Sequence, residues 1–155
     1  MRFLLIDRIE TVTPGKSASG WKNAAMSEDY FEWHFPERPI VPGVLILESF
    51  VQLAGWLEAA SSDFERWFLV DHVHVARYYA FAGPGDRIDL ALEQVPTDDP
   101  TRRRYKGESR VGDKRSAIVE FEGVVTSLES IEGAERARNA WAALRGEMPQ
   151  AAGGR

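Results

Sequence analysis

Alternation of hydrophobic and polar positions divides this chain into short extended segments and two helical ones. Residues 3–12 are apolar and β-branched and predict an entering strand. Thr13-Pro14-Gly15-Lys16 reads as a turn, and residues 17–25 resume a weaker extended pattern. Residues 26–33 are acidic and aromatic, which suits a loop with a short helical turn. Further on, residues 67–79 alternate in places and predict another strand. In residues 87–95, Ile88, Leu90 and Leu92 alternate with charged or small residues, the period of a half-buried strand. Turns at 83–86 and 96–100 bound that strand. Residues 103–110 and 114–128 give two more strands around Val111-Gly112-Asp113. Sequential strands joined by short turns predict an antiparallel meander.

One segment breaks the pattern. From Val44 to Ala60 the only polar side chains are Glu48, Ser49, Gln52 and Glu58. A segment apolar on nearly all sides predicts a helix inside a core, closed by Ser61-Ser62-Asp63. Residues 130–146 are alanine-rich, with Ile131, Ala134, Ala137, Trp141 and Leu144 on one stripe. That is a terminal amphipathic helix, followed by a disordered tail at 150–155. The pattern as a whole is an α+β one, a curved sheet wrapped around one apolar helix.

Composition narrows the function classes. The length suits one domain with a real core. A net charge of -5 offers no basic excess to nucleic acid. The one basic run, Arg102, Arg103, Arg104 and Lys106, reads as a solvated hairpin tip, the other reading being a docking patch for an acidic partner. The absence of cysteine excludes disulfides, zinc–thiolate sites and thiol nucleophiles. The first ten residues carry charges and no long apolar run, so a signal peptide or membrane span is not expected and a cytoplasmic protein is. His72 and His74 share a strand face. With no third ligand nearby in sequence, they read as an exposed or interface face and no metal is expected.

The chemistry concentrates in residues 34–56, HFPERPIVPGVLILESFVQLAGW. Pro36, Pro39 and Pro42 hold a loop that cannot be helix or central strand. Pro42 then opens the helix, and Gly43 permits close approach to its backbone. The first helical N–H groups have no partner within the helix, so they can donate to an oxygen acquiring charge. Glu48 lies about a turn further on, sharing a face with Leu45 and Gln52. A carboxylate in apolar surroundings has a raised pKa and can serve as a general acid, while His34 can serve as a base. Residue patterns alone leave other readings open: a structural His34, or a Glu48 paired with Arg77 or set at a subunit interface. Gln52 reads as a structural hydrogen-bonder.

His34-Phe35-Pro36, then residues 39–45, then Glu48 and Gln52, resemble the signature of the hot-dog-fold β-hydroxyacyl-acyl-carrier-protein dehydratases of fatty acid synthesis. The likeness extends to residues 3–8, Pro14-Gly15-Lys16, Lys22-Asn23, Ala76-Arg77-Tyr78 and Pro84-Gly85-Asp86, and so covers roughly residues 3–128. It implies a hot-dog domain over 1–129 and a C-terminal helical extension with a tail over 130–155. It also implies homodimers or larger homo-oligomers, with His34 of one subunit facing Glu48 of another. In that scheme the thioester carbonyl accepts from the Gly43 N–H, His34 removes the C2 proton, and Glu48 assists loss of the C3 hydroxyl. Trp33, Phe35, Pro42, Val44 and Gln52 would contact substrate. The substrate would be a 3-hydroxyacyl group on the phosphopantetheine of an acyl carrier protein, with no cofactor.

Two positions depart from the family. Trp33 and Glu37 stand where it usually has glycine, adding bulk around the base. An acyl-thioester hydrolase and a non-catalytic acyl-binding subunit remain the alternatives.

Overall fold

A computed structural model describes residues 4–147. Six strands form one antiparallel sheet in the order β1-β2-β4-β5-β6-β3. They are β1 (Arg8–Thr13), β2 (Ser17–Asn23), β3 (Arg66–Tyr78), β4 (Arg87–Val95), β5 (Arg102–Val111) and β6 (Lys114–Ser127). Helix α1 (Tyr30–Trp33) and the long helix α2 (Gly43–Ser61) lie between β2 and β3. A 3-10 turn at Leu128–Ser130 and helix α3 (Ala134–Arg145) follow β6. This is an α+β hot-dog fold, the sheet packed on α2, with the expected C-terminal helix added.

Several boundaries differ from the pattern-based expectation. The entering strand begins only at Arg8. Leu5 and Ile6 are buried without joining the ladder, because the Leu5 N–H donates to Gln52 Oε1 (3.0 Å). Residue 3 and the tail at 150–155 lie outside the described residues. The C-terminal helix starts at Ala134, after Gly133, and Ile131 is left outside it and exposed.

The basic run also needs correction. It is the start of β5 and not a solvated tip. Arg102 bonds Asp71 (2.7 Å) and Glu122 (3.0 Å), Arg104 bonds Glu120, and Arg103 Nε bonds Glu58 (3.1 Å).

Helix α2 is not uniformly buried. Every residue from Leu53 to Ala59 is buried, with Leu53, Leu57 and Ala59 fully enclosed. Burying side chains such as Phe50, Leu53 and Leu57 stabilises the fold by about 1.5–3 kcal/mol each. In the first half, Leu45, Leu47, Glu48, Val51 and Gln52 are only half-buried and Val44 is exposed. Alone among the described helices, α2 is long and apolar enough to cross a membrane, but the sheet wraps it as a core.

The two sheet edges are finished differently. At β1, Arg145 from α3 donates to the carbonyls of Ile9 (3.2 Å) and Glu10 (2.6 Å). Trp141 anchors the same helix against Trp56 and Phe64, with centroids 6.0 and 5.9 Å apart. Gly146, at φ 71°, ends α3 in the left-handed region that glycine tolerates. The outer edge of β3 has no partner strand among the described residues. Leu69, Val70 and Val73 are exposed along it.

Candidate active site

His34 caps the C-terminal end of α1, its N–H bonded to the Tyr30 carbonyl (2.9 Å). Its ring is held from two sides. Nδ1 lies 3.0 Å from the Ile40 carbonyl, and the Phe35 ring stacks on the imidazole at 4.5 Å. A carbonyl can only accept, so Nδ1 carries a proton, and in the neutral ring Nε2 is the nitrogen with the lone pair. The proline-punctuated loop folds back on itself to make this possible. The Ile40 N–H donates to the His34 carbonyl (2.9 Å), Arg38 N–H to the Phe35 carbonyl (3.0 Å), and Val41 N–H to the Ala82 carbonyl (2.8 Å).

Gly43 opens α2 directly after this loop. A cavity of about 400 Å³ lies between the loop, the helix start and the end of β3. His34, Phe35, Gly43 and Val44 line it, together with Tyr78 and Phe81. Its walls are otherwise aliphatic, so His34 and the helix N-terminus share a largely apolar space. Tyr78 and Phe81 were not singled out from the pattern of residues. Tyr78 belongs to the Ala76-Arg77-Tyr78 likeness, and an aromatic residue there was the available signal. Among them only Tyr78 carries a hydroxyl, and burial raises its pKa.

A second, larger cavity of about 670 Å³ opens on the other side of the helix start. Trp33 and Pro42 line it, with Leu4, Leu5, Tyr30 and Leu45, and Val44 borders both spaces. The residues flanking His34 therefore face different cavities, Phe35 the first and Trp33 the second. Beneath α1, Lys22 is nearly enclosed and bonds Asp7 (3.2 Å) and Glu28 (2.8 Å). Burial alone would lower the Lys22 pKa, but Glu28 and Asp7 more than offset it and leave it raised. Neighbouring Tyr30 is pushed up to about 12 by burial and by the charges of Glu28 and Asp7.

Glu48 does not line either cavity. It sits half-buried on the open face of α2, where Oε1 accepts from Gln52 Nε2 (3.1 Å). It makes no ion pair with Arg77. Gln52 in turn accepts from the Leu5 N–H through Oε1. His34 and Gly43 are thus brought together within one chain, and Glu48 is presented outward. The fully enclosed carboxylate of this helix is Glu58, held by Arg66 (2.8 Å) and Arg103 (3.1 Å). His72 and His74 do share a strand face, their rings 4.4 Å apart, with His74 Nε2 bonded to Glu122 (3.0 Å).

Comparison with known proteins bears on this arrangement. A FabA-like domain matches residues 1–122. The chain belongs to the FabA-like family. A 3-hydroxyacyl-[acyl-carrier-protein] dehydratase FabZ from Dechloromonas aromatica is 36% identical over 123 residues, covering 77% of this chain and 85% of that one. A FabZ from Aliarcobacter butzleri is 37% identical, covering 79% and 86%. Among solved structures, the dehydratase heterocomplex ApeI:P from Xenorhabdus doucetiae superposes with a TM-score of 0.60 at 15% identity, covering 80% of this chain and 99% of its own. That likeness is one of fold. The FabA-like match ends within β6, so α3 lies beyond it.

Proposed function

We propose that this chain dehydrates a 3-hydroxyacyl thioester, carried on the phosphopantetheine of an acyl carrier protein, to the trans-2-enoyl thioester. The observation that carries this reading is one apolar cavity lined by both His34 and Gly43. The Gly43 N–H donates to the thioester oxygen as charge develops there. His34 Nε2 takes the C2 proton. Glu48, as the general acid, delivers a proton to the departing C3 hydroxyl, so the C3–O bond breaks, the C2–C3 double bond forms and water leaves. Proton return from His34 to Glu48 through solvent completes the cycle. The same reading confines the dehydratase domain to residues 1–129 and treats α3 as an added clasp.

Because Glu48 is turned away from its own His34 cavity, the acid comes from a second copy of the chain. The unpartnered β3 edge with its exposed apolar residues, and the half-open face of α2, supply a surface for that copy. The test is mass-resolved assay of 3-hydroxyacyl carrier-protein thioesters of varied length. Loss of water in the parent, abolished by His34→Ala and by Glu48→Gln, is expected. Release of free thiol without enoyl product would replace this reading with hydrolysis. Mixing the two inactive variants tests the shared site. Random exchange of subunits restores about a quarter of parental activity if base and acid come from different copies, and none if they come from one.

A further inference from the structure

The tyrosine at the end of β3 has a place in the cavity that its packing alone does not explain. A Cβ built on Gly43 would meet Tyr78 at Cζ (2.8 Å), Cε1 (2.9 Å) and Cε2 (3.0 Å). These atoms form the hydroxyl-bearing end of the ring. The phenol therefore lies over the first residue of α2, beside the N–H groups that have no acceptor within the helix. Glycine at this position is what lets the ring approach so closely. Tyr78 also lines the cavity that holds His34. It is 44% exposed at the cavity mouth, and its hydroxyl has no hydrogen-bond partner among the described residues. A phenylalanine would fill the same space, so the hydroxyl adds chemistry and not packing.

We propose that Tyr78 supplies a second hydrogen-bond donor to the thioester carbonyl oxygen, alongside the Gly43 N–H. This rests on the thioester reading of the cavity given above. A carbonyl oxygen has two lone pairs and can accept from both donors. The backbone donor comes from the helix start and the phenol from the strand, so the oxygen is held between two elements of the fold. A phenol is protonated through the neutral range, as a donor must be, and burial only moves its titration further up.

The substitution that isolates the hydroxyl is Tyr78→Phe, which keeps the ring over Gly43. The deciding measurement is the carbonyl stretch of bound S-butanoyl-pantetheine carrying 13C at the carbonyl. This probe lacks a 3-hydroxyl and cannot be dehydrated. The stretch is expected at lower frequency in the parent than in Tyr78→Phe. Equal stretches overturn the assignment whatever the rates do. On a 3-hydroxyacyl thioester, Tyr78→Phe is expected to lower kcat by about a hundredfold to a thousandfold, the range for loss of one oxyanion donor, and to leave KM nearly unchanged. If the parent dehydrates no such thioester, the functional reading falls, and the stretch alone decides whether Tyr78 is a carbonyl donor.

Discussion

Glu48 and Glu58 lie on the same helix, one in its half-open first part and one in its enclosed second part. Glu58 is 2% exposed and is met inside the chain by Arg66 and Arg103. Its charge is compensated where it stands. Glu48 has a side-chain amide from Gln52 and no ion pair among the described residues. One sequence pattern, a glutamate within an apolar run, thus serves two ends. The enclosed half finishes its electrostatics within the fold. The open half leaves a carboxylate available to something outside the chain.

The sharpest way to break this contrast is to neutralise each acid in turn. Glu48→Gln is expected to cut dehydration on the order of a thousandfold, the scale of a lost general acid, with little change in urea midpoint. Glu58→Gln should do the reverse. Removing one member of a buried ion pair costs about 3–5 kcal/mol, here leaving two arginines facing a neutral amide. Activity per folded molecule should survive. Urea unfolding and turnover, measured on both variants, check the pair of outcomes. Equal stability losses in the two would dissolve the distinction.

The two glycines of α2 sharpen it. A Cβ on Gly55 would run into the Trp67 ring, in the enclosed half, while one on Gly43 would meet Tyr78 in the open half. Overpacking an enclosed site costs about 1–3 kcal/mol. Gly55→Ala is therefore expected to lower stability by about that much and to leave the His34 cavity intact. Tyr78 is exposed enough to swing away, so Gly43→Ala should lose activity and little stability. Thermal melting beside an enoyl-product assay separates the two.

Much of this arrangement was legible from residues alone, for identifiable reasons. The apolar run after Pro42 announced a core helix, and the alternation at Ile88, Leu90 and Leu92 announced a strand. The His34, Gly43 and Glu48 positions stood out because charge and glycine interrupt apolar or proline-rich surroundings. What periodicity could not carry was pairing at a distance. Arg103 and Glu58 are far apart in sequence, so the basic run looked like a solvated tip. Tyr78 met Gly43 only once β3 had crossed back over the helix start. The half-open state of α2 was also invisible, since Leu45, Leu47 and Val51 read as core whether this chain or a second copy covers them.

The smallest effect concerns what supports each half at high pH. Arginine stays protonated throughout, so the Glu58 pairs persist. Under the open half, Tyr30 and Lys22 both titrate above their ordinary values. For Tyr30, the unfolded chain loses its phenolic proton near pH 10 and the folded chain near 12. Between those values the folded state binds more protons than the unfolded one, so stability falls as pH rises. The stabilising contribution of the neutral phenol is complete below pH 10 and lost by about 12. Lys22 acts in the same direction, its stabilising charge lost as pH climbs through its raised pKa. Tyr30→Phe removes one of these two titrations. Its urea stability should decline less steeply than the parent's between pH 10 and 12, while the two curves run parallel near neutrality. Hydrogen exchange in that window should loosen α1 and the start of α2 more in the parent than in Tyr30→Phe, because one of the titrations beneath them has been removed.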